Sequence, residues 1–328
     1  MKKLLKVVAY LLGIVVILAI GGFAFLQLGF PKVDPAPELT IEYTPDRIER
    51  GAYLANHVAV CMDCHSKRDF SLFSGPPAPG TLGAGGDRFD HSMGLPGVFY
   101  AKNITPHGIS DYTDGELFRL ITTGVTNDGR PMFPLMPYSY YGKMDPEDIY
   151  DIIAYVRSLP AIASEIPDSK ADFPVNLILR TMPVNATPSK KPDPSDQVAY
   201  GAYLVNASGC IECHTQVSPQ GVIIPELAFS GGRSFPFPDG SVVTSSNITQ
   251  DKETGIGNWT EEMFVGRFKQ YQDSGYVVPK INPGEFNSLM PWLMYSGMKE
   301  EDLKAIYAYL KTIKPMKNEV VKFTASAK

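Results

Sequence analysis

All four cysteines of the chain fall in two pentapeptides, Cys61-Met62-Asp63-Cys64-His65 and Cys210-Ile211-Glu212-Cys213-His214. Two thiols at this spacing can form thioether bonds to the two vinyl groups of one porphyrin, and the adjoining imidazole is then held against the iron. C-x-x-C-H is the haem c attachment pattern, so the sequence calls for two covalently bound haem c groups. Cys61 and Cys64 attach the first and His65 is its proximal ligand; Cys210, Cys213 and His214 do the same for the second. A zinc ribbon needs its cysteine pairs roughly 15–20 residues apart, and a thioredoxin-like redox pair needs a βαβ setting. Neither explains the two histidines.

The chemistry of each iron depends on its sixth ligand. The chain has five histidines, His57, His65, His91, His107 and His214, and only His214 lies in the second half. A histidine therefore cannot be the distal ligand within that half, and methionine is the usual alternative. Candidates there are Met263, Met290, Met294, Met298 and Met316. Met290 is preferred because it precedes Pro291 on a loop just ahead of the last helix, and its counterpart is Met136. Met132, four residues earlier, stays open as the rival in the first half. Met144 and Met298 read as core filling. His57, His91 and His107 read as solvent-facing or core residues. Arg88 and Arg233, each shortly after a Gly-Gly pair, are candidates to pair with haem propionates. Tyr138 and Trp292 could pack beside the ligands.

The elements that must position these groups occur twice. Gly51-Ala52-Tyr53-Leu54 returns as Gly201-Ala202-Tyr203-Leu204, Asn103-Ile104-Thr105 as Asn247-Ile248-Thr249, and Leu135-Met136-Pro137-Tyr138 as Leu289-Met290-Pro291-Trp292. Asp145-Pro146-Glu147-Asp148 reads as a helix start, and Ile149, Ile152, Ile153 and Val156 form one apolar stripe. Leu303, Ile306, Tyr307 and Leu310 repeat that stripe. Gly51 and Gly201 would let a second helix cross closely, with Tyr155 or Tyr309 as partner. The Gly/Pro-rich stretches 75–97 and 230–240 read as loops. Ahead of the first repeat, Lys2, Lys3 and Lys6 precede an apolar run from Val7 to Phe30, long enough to cross a bilayer with its basic end inside. No good cleavage site follows it, which favours an uncleaved anchor. The expected plan is all-α: anchor 1–30, tether 31–44, haem domain 45–160, Pro-rich connector 161–195 and haem domain 196–328. Within the connector, Phe173 to Met182 is too apolar for a free linker and should lie against the first domain.

A net charge of -5 offers no basic footprint for nucleic acid. The two C-x-x-C-H motifs, the Asn-Ile-Thr elements, Gly255-Ile256-Gly257-Asn258-Trp259-Thr260, the Met-Pro loops and the segment Phe173–Arg180 together resemble the cytochrome c subunits of bacterial membrane-associated alcohol and aldehyde dehydrogenases. The resemblance covers most of residues 45 to 315. It implies two class I cytochrome c-like domains in tandem, histidine-methionine ligation and electron transfer outside the cytoplasm. The expected protein is a periplasmic carrier anchored in the inner membrane and not an enzyme. It would take electrons from a dehydrogenase or quinol-oxidising complex and pass them toward a terminal oxidase. The alternative is a dihaem cytochrome c peroxidase. Peroxide reduction needs an open iron position and a proton donor, so the two halves should then differ in their distal loops, and they carry the same Met-Pro element.

Overall fold

The computed structural model describes residues 1–219 and 221–326. It is mostly helical. The apolar run forms one helix, α1 (Lys2–Gly29), long and apolar enough to cross a membrane and with no buried residue. Residues 31–44 are extended, but they are fastened to the body. Ile41 N–H donates to Asp114 Oδ2 at 3.1 Å and Tyr43 OH to Asp114 Oδ1 at 2.7 Å. Gly115 lets Pro37 O approach, since a Cβ there would sit 1.8 Å from that oxygen. The tether is thus a strap; the proline count that marks it as extended carries no information about what it lies on.

Each half then runs through the same elements. In the first these are α2 (Pro45–Tyr53), α3 (Cys61–Cys64), α4 (Asp114–Thr123), α5 (Tyr138–Tyr141) and α6 (Pro146–Ser158). After α7 (Val175–Ile178), the second half contributes α8 (Gln197–Ala207), α9 (Cys210–Cys213), α10 (Glu261–Lys269), α11 (Trp292–Tyr295) and α12 (Glu300–Leu310). Asp145 caps α6, with Pro146 as its first residue, as the sequence indicates. The close crossings are also as expected. A Cβ on Gly51 would lie 1.8 Å from Asp151 O and 2.9 Å from Tyr155 Cβ; one on Gly201 would lie 1.9 Å from Ala305 O and 3.0 Å from Tyr309 Cβ. The stripes of α6 and α12 are buried, and one continuous core joins the two halves.

The expected all-helical plan needs one correction. Two small antiparallel sheets are present, β1 (Arg88–Phe89), β2 (Gly97–Tyr100) and β3 (Lys170–Ala171) in the first half, and β4 (Ser234–Pro236), β5 (Val242–Thr244) and β6 (Phe323–Thr324) in the second. Strands of two to four residues among glycines are too short to show alternation, so these stretches read as loops. The third strand of each sheet comes from the chain after the last helix, which attaches residues 170–171 of the connector to the first half. Residues 173–182 differ from expectation: α7 and the turn after it lie against α1, with Phe173 and Ile178 exposed.

The halves pack through reciprocal contacts. Tyr203 OH donates to Asp148 Oδ2 at 2.8 Å and accepts from Asp145 N–H at 3.2 Å. Tyr53 OH donates to Asp302 Oδ2 and accepts from Lys299 N–H at 3.0 Å. Asn206 Nδ2 donates to Tyr140 O at 2.9 Å, and His57 Nδ1 to Met294 O at 2.8 Å. His57 occupies the place of Asn206 because the first half has one extra residue between its glycine and its first cysteine. That residue is absorbed as a π-helical turn over Leu54–Val58.

Candidate functional site

Each C-x-x-C-H motif begins after a residue in the left-handed conformation, Val60 (φ 44°) or Gly209 (φ 61°). One helical turn follows, which puts the two thiols of a motif on the same side, three residues apart. The turn closes through His65 N–H to Cys61 O and His214 N–H to Cys210 O, both 3.0 Å. The thiols are not paired as disulfides. Burial pushes Cys61, Cys64 and Cys210 up to about 12. Cys64 and Cys213 nevertheless keep accessible surface, and Cys61 and Cys210 are half-buried.

The imidazoles are oriented by backbone. His65 Nδ1 donates to Lys102 O at 2.7 Å, and His214 Nδ1 donates to Ser246 O at 2.8 Å. A carbonyl can only accept, so the proton is on Nδ1 and the lone pair is on Nε2, the arrangement of a metal-ligating histidine. Burial lowers both imidazoles, which favours the neutral, ligating form. Lys102 and Ser246 each stand immediately before an Asn-Ile-Thr element. There Asn103 Oδ1 accepts from Thr105 N–H and Oγ1, and its Nδ2 donates to Ile162 O; Asn247 does the same with Thr249 and Met316 O. The repeated tripeptide thus holds the carbonyl that orients the histidine of each motif. The two thiols and the fixed tautomer fit a covalently attached haem at both motifs.

Each motif also carries one acid, and each acid has an arginine. Arg68 Nη1 lies 3.0 Å from Asp63 Oδ2, and Arg233 Nη1 lies 3.4 Å from Glu212 Oε2 while also donating to Glu212 O. Arg233, a sequence candidate for a haem propionate, pairs here with the acid of the second motif, whereas Arg88 pairs with Asp90 at the surface. The first-half counterpart is Arg68, which the sequence reading missed; the acid inside each motif was the available signal.

Met136 and Met290 are half-buried and pack on the same core as Cys61 and Cys210. Their backbones match: Met136 O accepts from Tyr138 N–H and Met290 O from Trp292 N–H, both 2.8 Å. The helical turns that follow bring Tyr141 OH to Ala59 O at 3.0 Å and Tyr295 OH to Ser208 O at 2.8 Å, tying each methionine loop to the residues just ahead of its own motif. The Met290 loop is also held across the halves, where Ser74 Oγ donates to Met290 O at 2.6 Å and accepts from Trp292 N–H at 3.0 Å. Met132 instead closes the hairpin bridged by Val125 and Pro131, with its N–H on Gly124 O. Met144 and Met298 are buried core, Met263 is exposed, and Met316 lends its carbonyl to Asn247. His91 pairs with Asp172 at 2.7 Å, and His107 is exposed. Tyr138 is buried against Gly124, and Trp292 packs among Arg267, Phe268 and Tyr271. The Tyr295 hydroxyl is raised by burial and then by Cys210, Cys213, Tyr141 and Asp63.

No protein-family model matches the chain. It is 28% identical over 297 residues to the cytochrome c subunit of the quinone alcohol dehydrogenase of Komagataeibacter europaeus, covering 83% of this chain and 58% of that one. It is 28% identical over 286 residues to the gluconate 2-dehydrogenase cytochrome c subunit of Pantoea cypripedii, covering 81% and 59%. A diheme c-type cytochrome of Cereibacter sphaeroides is 29% identical over 269 residues, 77% of this chain and 81% of that one. The chain spans less than two thirds of the length of the two dehydrogenase subunits. Over most of its own length, therefore, the chain resembles the cytochrome c subunits of bacterial dehydrogenases and a dihaem c-type cytochrome, and its likeness is to electron-transfer subunits and not to catalytic ones.

Proposed function

We propose that the protein is a membrane-anchored dihaem c-type cytochrome of the periplasm, carrying electrons from a dehydrogenase or quinol-oxidising complex toward a terminal oxidase. The observation that carries this reading is the equivalence of the two sites. Each has an imidazole with its proton fixed on Nδ1, and each has a methionine loop tied through a tyrosine to its own motif. Nothing in the second distal loop sets it apart as an open, peroxide-reducing site.

In this reading Cys61, Cys64, Cys210 and Cys213 hold the two groups. His65 with Met136, and His214 with Met290, are the axial ligands. Met136 is favoured over Met132 because its loop has the backbone pattern of the Met290 loop. A bound haem c supplies a reversible one-electron couple whose potential follows its axial ligands, their hydrogen bonds and their burial. The residues of the chain orient and exclude water. Lys102 O and Ser246 O fix the imidazoles, Tyr141 and Tyr295 hold the distal loops, and the shared core of the two halves gives electrons a path between them.

The test is a pair of substitutions. Met136→Ala should open one centre and Met290→Ala the other, each removing half of the weak red-edge absorption of sulfur-ligated ferric haem and lowering one potential. An unchanged spectrum in Met136→Ala moves the ligand to Met132. Turnover of peroxide by the wild-type protein, with one high-spin centre in the mixed-valence state, would overturn the carrier.

A further inference from the structure

We propose that the segment Phe173–Met182, together with the end of α1, lies in the headgroup region of the membrane as a second contact and holds the haem body in one orientation to the bilayer. The inference rests on the reading of α1 as a membrane anchor. Its first support is that the anchor is not free to swing. Arg180 Nε lies 3.2 Å from Leu26 O and 3.1 Å from Phe30 O, and its Nη2 lies 3.1 Å from Gln27 O. These are carbonyls at the C-terminal end of α1, which no further helical turn satisfies, so the guanidinium caps the helix. Just beyond, Asp34 N–H donates to Asn185 Oδ1 at 2.8 Å, and the strap continues onto Asp114 and Gly115.

The second support is depth. A bilayer core of about 30 Å takes about 20 helical residues at 1.5 Å each. Counted from Val7, the first residue after the basic Lys2, Lys3 and Lys6, such a span ends near Leu26. Arg180 is bonded at that level, so its guanidinium sits where phosphates are and the residues around it straddle the boundary.

The third support is composition. Residues 173–182 read Phe-Pro-Val-Asn-Leu-Ile-Leu-Arg-Thr-Met, and their apolar side chains are not all spent on the body: Phe173 is 78% and Ile178 45% exposed. Lone exposed apolar residues need no explanation. These differ because they are continuous with a helix end of fixed depth. The geometry makes the lipid boundary their occupant, in the manner of an in-plane amphipathic segment.

Site-directed nitroxide labelling of the full chain in liposomes tests this. In the haem-loaded protein the four native cysteines are thioethers and do not react, so Phe173→Cys and Ile178→Cys give single labels. Val15→Cys reports the anchor, and Val277→Cys, at a site 82% exposed on the body, reports water. Labels at 173 and 178 should show a ratio of relaxation by dissolved oxygen to relaxation by a water-soluble nickel chelate that lies between the high value at 15 and the low value at 277. If 15 behaves as lipid while 173 and 178 behave like 277, the second contact is wrong and the anchor stands. If 173 and 178 are shielded from both reagents, protein covers them and the lipid assignment is wrong. If 15 itself is aqueous, the anchor reading fails and takes the inference with it. The visible haem spectrum shows in each case that the variant has folded.

Discussion

Removing a single hydroxyl tests whether the two halves are one cooperative unit. Tyr203→Phe deletes the group that donates to Asp148 Oδ2 at 2.8 Å. Asp148 is fully buried, but it keeps Lys191 Nζ at 2.6 Å and Arg50 Nη2 at 3.4 Å, so its charge stays compensated. The expected cost is that of one hydrogen bond to a charged group, about 1.5 kcal/mol. Tyr53→Phe acts on Asp302, which is buried and held by the Tyr53 and Tyr200 hydroxyls, with no ion pair among the described residues. Its cost should be larger, about 3 kcal/mol, because the buried carboxylate is left with the Tyr200 hydroxyl and no cation. Guanidinium denaturation of the detergent-solubilised chain, followed by far-ultraviolet circular dichroism, measures both. A cycle of Tyr203→Phe with Asp148→Asn should show a coupling of about 1 kcal/mol, since the two groups touch. Losses below about 0.5 kcal/mol for both tyrosines, within the range of ordinary surface changes, would refute the interface. So would a smaller loss for Tyr53 than for Tyr203.

Other outcomes follow from the same geometry. Gly51→Ala should destabilise by about 3 kcal/mol, because its methyl meets the Asp151 carbonyl at 1.8 Å and backbone must move; thermal denaturation reads this, and Gly201→Ala should match it. Asn103→Ala should cost about 2–3 kcal/mol by stranding the buried Thr105 N–H. By loosening Lys102 O it should also weaken the hydrogen bond on His65 and raise the potential of the first centre alone, which a spectroelectrochemical titration resolves. Burial raises the Asp148 carboxyl, but Arg50, Lys191 and the Tyr203 hydroxyl outweigh it and leave the group below its ordinary 3.8. A lowered carboxylate stabilises above its unfolded value and loses that stability as pH falls through its folded one. The advantage of wild type over Asp148→Asn should therefore be full above about pH 4 and fade only in stronger acid.

The two C-x-x-C-H motifs were legible because their residue types and spacing have few other uses, and the structure supplies the imidazole tautomer that fits a haem ligand. The crossings at Gly51 and Gly201 were legible because only glycine permits such an approach. The one-residue difference between the halves was visible as a count, but its resolution as a π-helical turn depends on the contact that His57 makes with Met294 O in the other half. Strands as short as Arg88–Phe89 exist only because a tertiary partner pairs with them, which no local pattern records.

The internal repeat itself hid the largest part. Repeated residues are of two kinds here, and a repeat looks the same for both. The Asn-Ile-Thr elements, Tyr141 and Tyr295 serve their own half, fixing a histidine carbonyl or a methionine loop. Tyr53, Tyr203, Asp148 and Asp302 serve the opposite half, and each recurs because an interface with approximate two-fold symmetry needs every contact twice. Asn206 and His57 show how the kinds are told apart. They fill one structural role with different residue types at shifted positions, because what is held constant is a donor aimed at the carbonyl four residues past the other half's methionine. The Met-Pro loop of each half is consequently supported from both halves, by a tyrosine within its own half and a polar side chain from the other. A perturbation of the interface should reach both proposed haem sites through those loops, even where no substituted residue touches either site.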